Sequence, residues 1–183
     1  MQMNLFIRVA ITPFSIYKTP FNHTEFEGWV KKVLKKGGNS TLIREPLWNK
    51  NQKKEAIDIV QNKGLIPILH NESFSEKCAI YHWSSDFIKL KPDFEAIHGI
   101  SCHSLEEILI AQKQGYHYTF LSPIFFSESH PDIKPLGTEY LKNSVKRVKI
   151  PIIALGGIRN EFHIEEIKKT GAKGFASIRY FLF

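Results

Sequence analysis

The 183-residue chain has only two cysteines, Cys78 and Cys102, and neither belongs to a CxxC pair or a Cys/His spacing. That excludes a disulfide framework and a structural zinc site, and leaves two thiols in or beside apolar segments, as expected of buried cysteines in a reducing compartment. No apolar run approaches the roughly twenty residues that a membrane helix needs. The opening MQMNLFIRVAITPF lacks a charged leading region, a long apolar stretch and a small-residue cleavage site, so it reads as a strand and the expected location is cytoplasmic. No GxGxxG follows that strand, which removes the dinucleotide-binding fingerprint. Basic residues exceed acidic ones, 25 Lys plus Arg against 18 Asp plus Glu, for a formal charge of +7. Yet no basic run is interleaved with aromatics and no nucleic-acid motif appears. The lysines of VKKVLKK and NKNQKKEAIDIVQNK sit between apolar residues at helical spacing and read as solvated helix backs. A basic excess of this kind suits a protein that attracts phosphorylated metabolites, with neither nucleic acid nor membrane as partner.

What is present is an apolar content of 43%, enough for one core, and the length fits a single domain over residues 1–183. Short runs rich in Ile, Val, Leu and Phe alternate with amphipathic segments, the pattern of βαβ units with a parallel sheet. Eight strands are predicted, at 5–11, 40–44, 65–69, 79–83, 96–100, 118–122, 150–155 and 174–178. Helices are predicted at about 24–36, 51–63, 73–78, 104–114, 138–147 and 160–169. In the 104–114 helix Ser104 and Glu107 have a capping-box spacing, Leu105, Ile108, Leu109 and Gln112 share one side, and Gly115 is the stop. Asn160 and Gly171 bound the last helix in the same way. Eight such units close into a (β/α)₈ TIM barrel, a shortened one, since these barrels usually take about 250 residues. Residues 84–95 contain Pro92 and no clean helical period, so the fourth helix is degenerate. The chain stops just after the eighth strand with no final helix, and Tyr180, Phe181, Leu182 and Phe183 are left to cover the wall, locally or through a second subunit. A homodimer is therefore expected.

In a barrel the active site lies where the strands end. The residues there are Arg44 and Glu45, then His70, Asn71 and Glu72, then Ser84–Asp86, Ser101–His103, Ser122–Lys134, Gly156 and Gly157, and Ser177–Arg179. ALGGI places paired glycines after a buried strand and before a helix, where backbone amides can approach an anion. A tight turn would use the same pair, and the strand order favours phosphate. Asn71, Glu72 and Asp86 form an oxygen-rich set of the kind Mg²⁺ takes, with a pair of surface carboxylates as the competing reading. His82, on its strand, reads as a core or supporting histidine.

The run GISCHSLEEILIAQKQGYHYTFLSPIFFSESHPDIKPLG, followed by IPIIALGGI and GAKGFASI, resembles the thiamine phosphate synthase superfamily over about residues 99–178, with LIRE and HNES adding weaker matches. The resemblance implies a (β/α)₈ enzyme that joins hydroxymethylpyrimidine diphosphate to thiazole phosphate and releases diphosphate, with Mg²⁺ and basic side chains holding the leaving group. It places Arg44 on the diphosphate, Asn71 and Glu72 on the family's Asn-Asp metal segment, and Asp86 near its second metal aspartate. Ser127 and Ser129 fall on two threonines, His130 on a lysine, and Gly156, Gly157, Ser177 and Ile178 on the phosphate cradle.

The chain departs from this pattern at Pro46, where the family carries a lysine, and at His130, which holds a proton poorly at neutral pH. Lys134 or Arg179 are the candidate replacements, and a His130-dependent synthase should slow as pH rises through the histidine range near about 6.5. A sister branch of the superfamily acts as a thiazole tautomerase without diphosphate or metal. Its acid-base histidine stands where this chain has Pro123, which leaves His103, otherwise a candidate substrate contact, and His130 as proton-transfer groups. A non-catalytic relative that binds thiazole phosphate is the third reading.

Overall fold

The computed structural model of the chain describes residues 6–14, 20–72, 78–92, 95–127 and 131–182. Eight parallel strands pair in chain order and close into a barrel: β1 (Ile7–Ile11), β2 (Ser40–Ile43), β3 (Ile66–His70), β4 (Ile80–Trp83), β5 (Ile97–Cys102), β6 (Tyr118–Leu121), β7 (Ile152–Leu155) and β8 (Gly174–Ser177). β1 completes the ring by pairing with both neighbours, Val9 lying level with Ser40 of β2 and Ala176 of β8. Every strand lies within about two residues of its predicted position, because short β-branched runs bounded by polar turns carry a strong local signal. β5 extends two residues past its predicted end, to Cys102.

Inside the barrel Val9, Ile11, Leu42, Ile68, Tyr118, Phe120, Ile153 and Ala176 form one apolar cluster. Alternate residues of the same strands face outward and pack against helices. Among the described residues these helices are α1 (His23–Lys35), α2 (Lys50–Asn62), α3 (Leu105–Gln114), α4 (Gly137–Arg147) and α5 (Glu161–Lys168). Phe26, Trp29, Val30 and Val33 form the buried stripe of α1. The helix predicted at 73–78 falls on 73–77, outside the described residues.

The capping signals act as written in the sequence, with one change. Ser104 Oγ accepts from the amide of Glu107 at 3.2 Å, but the Glu107 carboxylate reaches the amide of His103 (2.7 Å) rather than that of the cap residue. On α3 the buried side is Leu105, Ile108 and Ala111. Leu109, predicted to share it, stays exposed. Gln112 instead accepts from the amide of Lys149 at 2.6 Å, bracing the approach to β7.

Between β4 and β5 a three-residue 3₁₀ turn, Ser85–Phe87, replaces a helix. It is held by Tyr116, whose hydroxyl donates to the Phe87 carbonyl at 2.8 Å. After β8 the chain runs into a second 3₁₀ turn, Arg179–Phe181. Phe181 is fully buried with its ring parallel to Phe175 at 5.9 Å, and Lys36 Nζ donates to the Tyr180 carbonyl at 2.7 Å. Burying a side chain of that size stabilises by roughly 1.5–3 kcal/mol, and Tyr180 is buried beside it. Cys78 and Cys102 are both free and buried. Among the described residues no helix is long and apolar enough to cross a membrane.

Candidate active site

At the strand C-termini the predicted residues fall into two groups. The first follows β7 and β8. Ser127, Gly156, Gly157, Ser177, Ile178 and Arg179, six of the residues singled out from the sequence, line one cleft together with Leu155, Ile158 and Arg159.

The glycines of this cleft serve two demands. Gly156 and Gly157 have φ of 95° and 70°, the left-handed region that side chains avoid. In addition, a Cβ on Gly156 would lie 2.7 Å from Pro123 Cα, and one on Gly157 would lie 2.6 Å from the Phe125 carbonyl oxygen and overlap that of Phe126. The space a side chain would need is therefore filled by the segment after β6, which is stitched to the turn by Ile124 N to Leu155 O (2.9 Å) and Phe125 N to Gly156 O (3.1 Å). Close packing of two loops accounts for the glycines, and the turn they make still forms the cleft wall.

Charge in this cleft comes from arginines. Arg159 and Arg179 both line it. α5 starts next to them, with Asn160 Oδ1 accepting from the His163 amide at 3.0 Å, so the positive end of a helix dipole lies at the same edge. His163 stacks on Phe125 with ring centroids 4.2 Å apart and accepts from the Arg159 amide at 3.3 Å. Burial first, and the Arg159 charge second, hold its pKa below the usual histidine value, so it adds no cation at neutral pH. The Ser177 hydroxyl is committed to structure, donating to the Ile158 carbonyl at 2.8 Å and accepting from the Tyr180 amide at 3.1 Å. Sequence reasoning passed over Arg159 and His163. The run GGIRN held the signal for the first, a basic residue between a glycine turn and an N-cap.

The second group follows β2 and β3. The Arg44 amide donates to Thr12 Oγ1 at 2.9 Å, and the buried Glu45 carboxylate accepts from the Phe14 amide at 3.1 Å, which ties this loop to the end of β1. Asn71 has φ of 53° and braces β3 against β4. Its Oδ1 accepts from the Ser84 amide at 2.8 Å and its Nδ2 donates to Ser84 Oγ at 3.2 Å. Glu72 forms an ion pair with Lys53 of α2. Lys53 is 6% exposed, so the reading of its lysine run as a solvated helix back is corrected at this position. It shares the 53, 56, 57, 60 spacing of the α2 buried face with Ala56, Ile57 and Val60. Asp86 is exposed in the turn after β4.

His103 is exposed after β5, and its Nδ1 lies 3.0 Å from the Ser122 carbonyl oxygen. A carbonyl can only accept, so Nδ1 carries the proton and Nε2 is the basic nitrogen. Ser129 and His130 lie outside the described residues. Lys134 is exposed.

Of the residues expected to hold a magnesium ion, Asn71 and Glu72 already have other partners. Among the described residues no three His, Cys, Asp or Glu side chains are grouped to hold a metal. Of the expected ligands, the Glu72 carboxylate is already neutralised by Lys53 and the Asn71 oxygen already accepts a hydrogen bond.

Beneath the rim the barrel holds neutral histidines. His82 is buried, stacks on Phe120 at 4.0 Å, and places Nε2 2.9 Å from Ser101 Oγ, the core role expected of it. Burial, then the charges of His70 and Arg44, push its pKa well below the ordinary value. His70 is pushed down to about 4, by burial first and then by Arg44 and Lys53. A base whose folded pKa is depressed stabilises the protein fully above its unfolded pKa and loses that stability as pH falls. For His70 that window runs from 6.5 down to about 4. Thermal melts should therefore drop steadily between pH 7 and pH 4.5, and His70→Gln should flatten the drop. An unchanged acid limb in that variant would assign the sensitivity elsewhere.

Residues 89–181 match the family model described as thiamine monophosphate synthase. Over 186 aligned residues the chain is 36% identical to an Aquifex aeolicus protein named "Putative thiamine-phosphate synthase 2", covering 94% of this chain and 96% of that one. An 80-residue stretch is 42% identical to thiamine-phosphate synthase of Pyrococcus furiosus, 44% of this chain and 38% of the relative. In structure the chain is similar to thiamine phosphate pyrophosphorylase from Pyrococcus furiosus, with a TM-score of 0.73 and 22% identity over 96% of this chain and 86% of that one, a likeness of fold.

Proposed function

Because the chain belongs to the thiamine monophosphate synthase family, we propose that it is a transferase that joins hydroxymethylpyrimidine diphosphate to thiazole phosphate and releases diphosphate. The observation that carries this reading is the cleft that gathers Gly156, Gly157, Ile178 and Arg179 with Ser127 of the segment after β6. A thiazole phosphate seated there, against the glycine turn and between Arg159 and Arg179, meets two cations and the positive end of α5. The diphosphate belongs to the other end of the rim, near Arg44. As the bond between the pyrimidine methylene carbon and the diphosphate oxygen breaks, negative charge grows on the leaving group and Arg44 stabilises it. The thiazole ring nitrogen then forms the new bond to that carbon. Ser129 and His130, placed on the diphosphate by resemblance, complete the proposal, and no step is routed through a metal.

The test is formation of thiamine phosphate by the purified chain. Product and diphosphate should appear one to one when both substrates are present and not with either alone. Isomerisation of the thiazole phosphate alone would favour the tautomerase reading, with His103 Nε2 as the base. Binding without conversion would favour an accessory role.

Cytoplasmic location and a homodimer belong to the same proposal. α1 presents an open groove, lined by Phe14, Glu25, Gly28, Trp29, Lys32 and Leu182 among others. Glu25 and Lys32 stand on either side of Gly28, so an antiparallel α1 of a second copy would meet each charge with its opposite. Light scattering should give twice the 21.2 kDa chain mass. A monomer at high micromolar concentration would remove the dimer.

A further inference from the structure

Lys53 is an internal cation that the synthase reading does not use. Its side chain is 7% exposed and its ammonium pairs with Glu72, whose own side chain keeps 30% of its surface. Lysine is rarely buried so far unless paired, and here the pair sits at the end of β3, where the family resemblance expects a metal carboxylate. Arg44 follows β2, and Lys53 pairs with Glu72 just after β3, the neighbouring strand, so two cations share this end of the rim. The remaining expected metal ligands are an amide oxygen already hydrogen-bonded, at Asn71, and an exposed carboxylate, at Asp86.

We infer that Lys53 takes the place of a divalent cation: the Glu72 carboxylate serves the ammonium, and diphosphate is bound by the charges of Lys53 and Arg44 with no metal held by Glu72. Mg²⁺ demands near-octahedral oxygen ligands and usually recruits one or two carboxylates. Recruiting Glu72 would strand Lys53 as an unpaired charge in the barrel wall. The Pro46 departure fits the same scheme, because Lys53 supplies from α2 a cation that the loop after β2 lacks. The diphosphate half rests on the proposed function; the Glu72 half stands on the ion pair alone.

Two titrations of the full chain test this. In the first, Mn²⁺ alone is added and free Mn²⁺ is read by electron paramagnetic resonance. The parent should leave the ion free into the millimolar range, Lys53→Met should bind it at least about tenfold more tightly by releasing Glu72, and Lys53→Met/Glu72→Gln should lose that gain. In the second, inorganic diphosphate is titrated by calorimetry in excess chelator. The parent should bind, Lys53→Arg should keep affinity, and Lys53→Met should lose at least about tenfold. Melting curves establish that each variant is folded, and Lys53→Gln replaces Lys53→Met if the latter is not. Parent binding of Mn²⁺ that Glu72→Gln abolishes would overturn the inference, as would diphosphate binding that requires added Mg²⁺. Absence of diphosphate binding with or without metal would sink the synthase reading and the diphosphate half together, while the Mn²⁺ titration still decides the role of Glu72.

Discussion

Gly157→Ala should melt roughly 5–15 °C below the parent and lose most of its affinity for thiazole phosphate. Two costs add. The first is the left-handed backbone at φ 70°, worth about 1–2 kcal/mol for any residue with a Cβ. The second is overlap with the carbonyls of Phe125 and Phe126, which are main-chain atoms and cannot swing away as a side-chain tip would. Forced overpacking of this kind costs about 1–3 kcal/mol, and for a domain of this size each kcal/mol moves the midpoint by roughly 2–4 °C. Gly137 is the control, because at φ 82° it has nothing within 4 Å of an added Cβ. Gly137→Ala should show the backbone cost alone. Affinity falls in Gly157→Ala because the displaced segment carries Ser127 out of the cleft. Equal melting of the two variants would mean that the loop gives way freely, and that the glycine pair is no more than a turn.

Glu72→Ala should destabilise the chain by about 3 kcal/mol, whereas Lys53→Met should change stability by less than about 1 kcal/mol. The asymmetry follows from where each charge sits. Removing Glu72 leaves an unpaired ammonium that is 7% exposed, while removing Lys53 leaves a carboxylate that already reaches water with 30% of its surface. The double variant should recover most of the loss of Glu72→Ala. Denaturant unfolding measures all three, and a Lys53→Met loss as large as that of Glu72→Ala would place the cost in packing around the lysine stem rather than in the unpaired charge.

The barrel was legible from local chemistry. Most strands are short apolar runs rich in β-branched residues with polar ends, and the caps Asn160 and Ser104 accept from the amides their spacing selects. The shortened connection after β4 was legible too, since Pro92 and the lack of a helical period mark where a 3₁₀ turn stands instead of a helix. What the sequence conceals is which partner a polar group chooses. Nothing local tells that Lys53 turns inward to Glu72 across nineteen residues, or that Asn71 spends both side-chain atoms on Ser84. The glycine pair shows the same limit: its residue types point to a cradle, but only the approach of Phe125 and Phe126 shows why no side chain fits. Arg159 went unread because single arginines carry no pattern until the fold puts them on a wall.

The proposed site has two ends, a phosphate cleft at β7 and β8 and a diphosphate end at β2 and β3, and steady-state kinetics with both substrates distinguishes them. Arg159→Ala should raise KM for thiazole phosphate by at least about tenfold and leave KM for the pyrimidine diphosphate within about twofold. Arg44→Ala should lower kcat by about a hundredfold and leave KM for thiazole phosphate within about twofold. If both variants shifted both substrates alike, or if the parent formed no thiamine phosphate, the two-ended site would be contradicted.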